Sequence, residues 1–330
     1  MTTFIFFLLG LAILIKGADY LVDGASSVSL KLKISPLVIG LTVVAFGTSA
    51  PELVVSVLSA LRGSTQLALG NAVGSNIFNI LVVLGLAAIV YPLTVQKSTV
   101  WKEIPMSFLA AVVLTVLGVQ VLLDEKAFSP LLKALNSPEI IGGITLSNGL
   151  ILLFFFIIFL YYTFGMAKEN ADEESTIKEA SIPKSVFWIF LGLIGLALGS
   201  GLAVENAVTI AKNLGVSESL IGLTLLAVGT SLPELFTSIS AALKKNTDIA
   251  VGNVVGSNIF NIMLVLGITS LIHPIPLSGQ NLVDILVLFG ATLLLFAALF
   301  VIGKHKITRV EGALMFTSYL AYLGFLIYRG

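Results

Sequence analysis

"GLTVVAFGTSAPELVV", residues 40–55, returns almost unchanged as "GLTLLAVGTSLPELFT", residues 222–237. Shifted by 182 residues, the whole of 40–85 falls on 222–267 without a gap, and 28 of those 46 pairs are identical. The second block of the repeat pairs "GNAVGSNIFNILVVLG" at 70–85 with "GNVVGSNIFNIMLVLG" at 252–267. Weaker matches reach back to Gly17 with Gly199 and Ser35 with Ser217. An internal repeat of this length governs the reading of the fold. A duplication kept only for packing needs apolar patterning. The identical positions here include glycine, hydroxyl, amide and carboxylate residues, which points to a site built twice.

The solvent around most of the chain is lipid. Of its 330 residues, 57% are hydrophobic and 11% charged, against about a quarter charged in a soluble domain. Mean hydropathy is +1.06, and apolar runs long enough to cross a bilayer recur throughout. A formal net charge of zero makes nucleic acid an unsuitable partner. The absence of cysteine removes disulfides and thiolate metal sites. The opening "MTTFIFFLLGLAILIKGADYLV" lacks a basic start and a small-residue cleavage site, so it reads as a retained first helix.

Ten spans are expected, near 4–23, 36–62, 68–91, 102–123, 147–167, 185–211, 218–243, 250–273, 282–302 and 310–328. Residues 1–166 form a first five-helix repeat, 167–185 a charged linker, and 186–330 a second repeat. Five is odd, so the second repeat runs through the membrane inverted. The fold class is an all-α integral membrane protein, two inverted five-helix repeats with broken helices at the centre. Inverted repeats are a plan of secondary transporters, with the site near the midplane. Ten spans place thirteen Lys and Arg on one side and five on the other. The richer side is cytoplasmic by the positive-inside rule. The 167–185 loop is then cytoplasmic, both termini lie outside, and the location is the cell (inner or plasma) membrane. A short amphipathic helix is expected within 124–143, without an assigned role.

The repeated motif carries its own breaker. Pro51 has no amide hydrogen, so the carbonyl four residues back loses its helical partner. Gly47 adds freedom, and the helix should break around 46–50. Freed carbonyls inside lipid need a cation, water or protein to satisfy them. Glu52 follows the break, as Glu234 does in the second half. An ionised carboxylate at mid-membrane costs at least about 2.5–3.5 kcal/mol, and neither motif helix offers a Lys or Arg near its middle. Lys16 is one candidate counter-ion, expected nearer the cytoplasmic surface with Asp19 and Asp23 on its face. A mobile cation is therefore the expected partner of both glutamates. On the next span Asn71, Ser75 and Asn79 form one stripe, as do Asn253, Ser257 and Asn261. Asn71, Asn76, Asn253 and Asn258 are read as interhelical glue. Ser75, Asn79, Ser257 and Asn261 are assigned to the site. Carboxylates, hydroxyls, amide oxygens and freed carbonyls are a hard-cation set suited to calcium or sodium. Without nitrogen or sulfur ligands, zinc and copper are disfavoured.

The two "GTS-x-PE" and "GN-x-VGSNIFNI" pairs resemble the alpha-repeats of the sodium/calcium exchangers, a branch of the calcium/cation antiporter superfamily, and the resemblance covers the whole ten-span plan. It implies alternating access, the first and sixth spans moving across a fixed core. It implies that Glu52 and Glu234 bridge a central Ca2+, joined by Thr48 and Thr230. Carbonyls of Ala45 and Ala227 and hydroxyls of Ser75 and Ser257 would serve flanking Na+ sites, with Asn79 and Asn261 at the middle position. The motif serines Ser49 and Ser231 complete the candidate set. Some relatives carry aspartate where Asn261 stands, and in potassium-dependent relatives an acid there accompanies K+ use. The implied function is Na+/Ca2+ antiport without K+, by a monomer in membrane lipid, with Ca2+ and Na+ as cargo and no organic cofactor.

Two alternatives stay open on the residues alone: H+-driven exchange of Ca2+ or another divalent cation, and a cation channel. An intramembrane enzyme fits poorly. The spans hold no paired Asp, Ser–His pair or histidine metal motif. His273 stands at a span end, and His305 in a basic loop.

Overall fold

The computed structural model describes residues 2–95, 101–120, 140–166, 181–214, 227–302 and 305–329. Its helices are α1 (Thr2–Leu32), α2 (Pro36–Thr48), α3 (Ala50–Leu61), α4 (Thr65–Val90), α5 (Glu103–Gly118), α6 (Leu146–Met166) and α7 (Ile182–Asn213). The second half continues with α8 (Ala227–Thr230), α9 (Leu232–Leu243), α10 (Thr247–Ile272), α11 (Gly279–Ala297) and α12 (Arg309–Arg329). Seven of them are long and apolar enough to cross a membrane, and an eighth span results if the bent pair α2–α3 counts as one. The remaining two expected spans coincide with the shorter apolar helices α5 and α9. The described residues thus establish a helical membrane protein. The expected spans 102–123 and 218–243 extend beyond them, and residues 167–180 of the linker and most of 124–143 lie outside them.

Where 124–143 re-enters the described residues, the chain is extended rather than helical. Strand β2 (Ile140–Ile144) pairs antiparallel with β3 (Ile275–Ser278), and β1 (Leu93–Thr94) pairs with β4 (Lys306–Ile307). These ribbons tie the two halves together at span ends, a small exception to the all-α expectation. The 182-residue offset maps β1 onto the start of β3, so equivalent strands each take a partner from the other half.

Helices α1 and α7 lie antiparallel along their length. Gly10 meets Gly199 and Ala203, Gly17 meets Gly192 and Leu196, and Gly24 meets Ser185 and Ile189. A Cβ added at Gly192 would sit 2.6 Å from the backbone nitrogen of Leu21, and one at Gly17 would sit 2.8 Å from that of Leu196. Seven-residue glycine spacing thus brings two backbones together where lipid offers no hydrophobic drive for association. Tyr20 stacks on Trp188 with ring centroids 4.6 Å apart.

The protein centre belongs to α4 and α10. In each, 78% of the apolar window is buried, against 33% in α1 and α7. That burial explains their composition: a first part of small residues and amides, then a run of mostly large apolar side chains at 77–84 and 259–266, with other helices on all sides. Both contain a π-helical turn, at Asn79–Leu84 and Phe260–Val265, and a third interrupts α2 at Gly40–Val44. Such widened turns concentrate at functional sites.

Candidate cation site

The breaks fall at Ser49 and Ser231. Ser49 has φ −83° and ψ 4°, Ser231 has φ −91° and ψ 6°, and a proline follows within each new first turn. Segments α2 and α3 meet at 44°, inside the expected window. Each glutamate therefore stands in the first turn of a helix, where unpaired amides and the helix dipole favour negative charge by about 0.3–1 kcal/mol. The local sequence S-x-x-E is a capping-box pattern, but neither serine caps its own helix. The boxes are crossed. Ser49 Oγ donates to Glu234 Oε1 at 2.9 Å, and Ser231 Oγ donates to Glu52 Oε1 at 3.1 Å.

Four further pairs of bonds are duplicated across the halves. Ser75 donates to Glu52 Oε1 at 3.5 Å, and Ser257 to Glu234 Oε1 at 3.3 Å. Thr48 donates to Asn253 Oδ1 at 2.9 Å, and Thr230 to Asn71 Oδ1 at 3.1 Å. The amide nitrogens of Asn71 and Asn253 each donate at 3.3 Å to the backbone oxygen of their own half's glutamate. They also donate to Ser56 at 3.2 Å and to Ser238 at 3.0 Å. These asparagines hold the break in place, as their reading as glue requires.

Asn76 and Asn258 do a second job of the same kind. Asn258 Oδ1 accepts from Asn79 Nδ2 at 3.2 Å, and Asn76 Oδ1 accepts from Asn261 Nδ2 at 3.1 Å. Holding the NH2 groups leaves the carbonyl ends of Asn79 and Asn261 unengaged. Among the described residues around the two breaks, four carboxylate or amide oxygens are then buried without a hydrogen-bond partner: Oε2 of Glu52 and Glu234, and Oδ1 of Asn79 and Asn261. All four residues have zero exposure. Leaving a buried acceptor unpaired costs about 1–3 kcal/mol, more for a charged group. Among the described residues no basic side chain pairs with either glutamate. Four negative or dipolar oxygens in two matched pairs suit a hard cation.

Other candidates occupy different roles. Thr48, Thr230, Ser49 and Ser231 are buried, and their protons are committed to the bonds above while their lone pairs remain. The Ala45 carbonyl accepts Ser49 N–H at 2.9 Å and lies 3.3 Å from the Thr48 hydroxyl, so it is not orphaned. Ala227 opens α8. Lys16 is exposed, and Asp19 and Asp23 turn to Lys244, not to it. Ser56 and Ser238 were missed as members of the network. They are identical across the repeat, which marks them. The π turns beginning at or beside Asn79 and Asn261 had no sequence signal.

Buried oxygens gathered at helix breaks in a membrane protein are a feature of ion-translocating membrane transporters. The comparisons narrow that class. The family model for "sodium/calcium exchanger protein" matches residues 2–165 and 184–328. The putative antiporter CaxA of Alkalimonas amylolytica is 39% identical over 331 residues, 96% of each chain. The sodium/calcium exchanger MaX1 of Methanosarcina acetivorans is 33% identical, over 98% of each chain. A solved structure of the sodium-calcium exchanger NCX_Mj, soaked with 2.5 mM Na+ and 0.1 mM Ca2+, superposes with a TM-score of 0.81 at 34% identity and 98% coverage of both chains. The chain belongs to the sodium/calcium exchanger family, a family of transporters rather than enzymes.

Proposed function

We propose that the protein exchanges Na+ for Ca2+ across the cell membrane by alternating access, without K+. The observation that carries this reading is the matched set of four orphaned buried oxygens on Glu52, Glu234, Asn79 and Asn261. Two carboxylates balance one Ca2+ or two Na+. A further K+ beside Ca2+ would leave a low-dielectric pocket net positive, which is unfavourable. Asparagine at both 79 and 261 supplies oxygen without the third acid that K+ would need.

The architecture proposed is ten spans in two inverted repeats, 1–166 and 186–330, joined by a cytoplasmic linker at 167–185, with both termini outside. The antiparallel α1–α7 pair and the crossed hydrogen bonds support the inversion. On this orientation Arg62, at the end of α3, faces outward, and Lys244, at the end of α9, faces the cytoplasm. The protein acts as a monomer, with Thr48, Thr230, Ser49, Ser231, Ser75, Ser257 and the carbonyls of Ala45 and Ala227 completing the coordination.

The test is calcium-45 uptake into sodium-loaded proteoliposomes, with K+ or choline outside. Uptake should require internal Na+ and run equally in both media. A requirement for K+ removes the charge argument. Full uptake on a pH gradient alone, without Na+, replaces Na+ by H+ as the coupled ion. Calcium conductance that ignores any counter-ion means a channel.

A further inference from the structure

The two halves match at the site but not at its flanks. Helix α1 packs along α9, whereas its repeat equivalent α7 does not pack along α3. Between α7 and the break of the first motif lies a groove of about 600 Å³, lined by Gly47, Pro51 and Val54 on one wall and by Leu193, Ala197 and Val204 on the other, and reaching Thr230. Burial shows the same asymmetry. Val22 and Ala25 of α1 have zero exposure, while their equivalents Val204 and Ala207 on α7 are partly exposed. The α1 flank is packed shut and the α7 flank is grooved, and these are named the closed and the open mouth.

The closed mouth carries an ionic clasp. Lys244 Nζ, at the end of α9, lies 2.8 Å from Asp23 Oδ1 and 3.5 Å from Asp19 Oδ1, and donates to the Asp19 backbone oxygen at 3.0 Å. Ser240 donates to Asp19 Oδ1 at 2.7 Å, and Asn246 donates to Ser26 at 3.0 Å. The 182-residue offset maps Lys244 onto Arg62 and Asp23 onto Glu205, so acid and base both recur. In the open mouth Arg62 and Glu205 are exposed and share no ion pair. Asp19 and Ser240 map onto Gly201 and Leu58, so the second clasp has only its charged pair.

We propose that Lys244–Asp23 and Arg62–Glu205 are alternating latches. The first holds its mouth shut in the state described. The second forms when the α1–α7 pair moves across the core, closing the groove and burying Val204 as Val22 is buried now. The inference rests on the alternating-access reading. Inverted repeats make the two end states near mirror images, and each latch biases the equilibrium toward the state in which it is made. An exposed pair is a weak latch, suited to an equilibrium that must swing both ways.

The chain has no native cysteine, so Val204→Cys supplies a single reporter thiol in the groove. Its labelling rate by a methanethiosulfonate reagent, on purified protein in sodium buffer, reads the open population. Lys244→Gln should slow labelling roughly two- to fivefold, the population change an exposed pair supplies. Adding Arg62→Gln should bring the rate back toward that of the reporter alone, because both latches are then gone. A purely structural role for Lys244 would not be repaired from the opposite mouth. Unchanged labelling in Lys244→Gln, or slowing that Arg62→Gln does not relieve, overturns the proposal. The readout needs no calcium flux. Protein that shows this labelling pattern but fails calcium exchange would remove the ion assignment and leave the latches standing.

Discussion

Replacing Glu52 with Gln tests the site with the least disturbance to its surroundings. Gln is nearly isosteric, and the bond that holds the helix break, from Asn71 to the backbone oxygen of residue 52, does not involve the side chain. An amide oxygen placed at Oε1 can still accept from Ser231 and Ser75. What disappears is one negative charge in a pocket with zero exposure. At a separation of about 4 Å and an effective dielectric of about 20, two unit charges interact by about 4 kcal/mol. The figure is conservative for a divalent ion, whose attraction to the lost charge is twice as large before desolvation is offset. At 1.4 kcal/mol per decade, calcium affinity should fall by roughly a thousandfold. Sodium, with half the charge, should lose less. Isothermal titration of Ca2+ into detergent-solubilised protein, wild type against mutant at matched thermal stability, measures the ratio. Glu234→Gln should behave alike, because its contacts are the repeat equivalents. A Kd within tenfold of wild type in either mutant would mean that the carboxylates are not cation ligands.

Three further outcomes are expected. Ser49→Ala and Ser231→Ala each delete the crossed donor to a carboxylate and should weaken Ca2+ binding roughly ten- to a hundredfold, since hydrogen bonds to charged groups are worth about 1.5–3 kcal/mol; wild-type Kd in both would show the crossing to be incidental. Gly192→Ala should lower the melting temperature in detergent, because its Cβ lands 2.6 Å from Leu21 N, whereas Gly201→Ala, with no atom within 4 Å, should not; equal melting of the two would refute close packing as the α1–α7 cement. A cysteine at Ser175 should resist an impermeant thiol reagent in intact cells and react after permeabilisation, and equal labelling in both would invert the proposed orientation.

Charge in an apolar run is the loudest signal a membrane sequence carries, and it made Glu52 and Glu234 legible. The cost of burying a carboxylate leaves few reasons for its presence. The proline before each glutamate located the breaks for an equally local reason: a missing amide hydrogen acts within one turn. The seven long spans were legible from hydropathy. The remaining features depend on partners distant in sequence. S-x-x-E reads locally as a capping box, and only the packed halves show that each serine serves the other's glutamate. The π turns have no composition of their own, since "NILVVL" and "FNIMLV" look like ordinary apolar helix. Lys16 was the nearest basic residue along the chain to Asp19 and Asp23, but Lys244, 221 residues beyond Asp23, is the one that reaches them.

The crossed serines make the two motifs one site. Glu52 is held by Ser75 from its own half and Ser231 from the other, and Glu234 by Ser257 and Ser49. Neither carboxylate keeps its full set of donors unless both halves are docked, so sliding of one repeat's core past the other would dismantle the pocket. Movement that preserves the site must therefore lie outside it, in elements that contribute no ligand. Helices α1 and α7 meet that condition. They supply none of the oxygens above, they bind each other through glycine contacts along their length, and they are the elements whose packing differs between the halves. A symmetric site under unequal flanks is the arrangement the proposed alternating access would need, because the flanks could exchange roles without changing what an ion there would touch. The 182-residue repeat accounts for both features. Identity at the polar positions fixes the pocket, while the flanks are unequal, with Asp19 and Ser240 facing Gly201 and Leu58 in the alignment, so the two closed states of the proposed cycle would differ in stability.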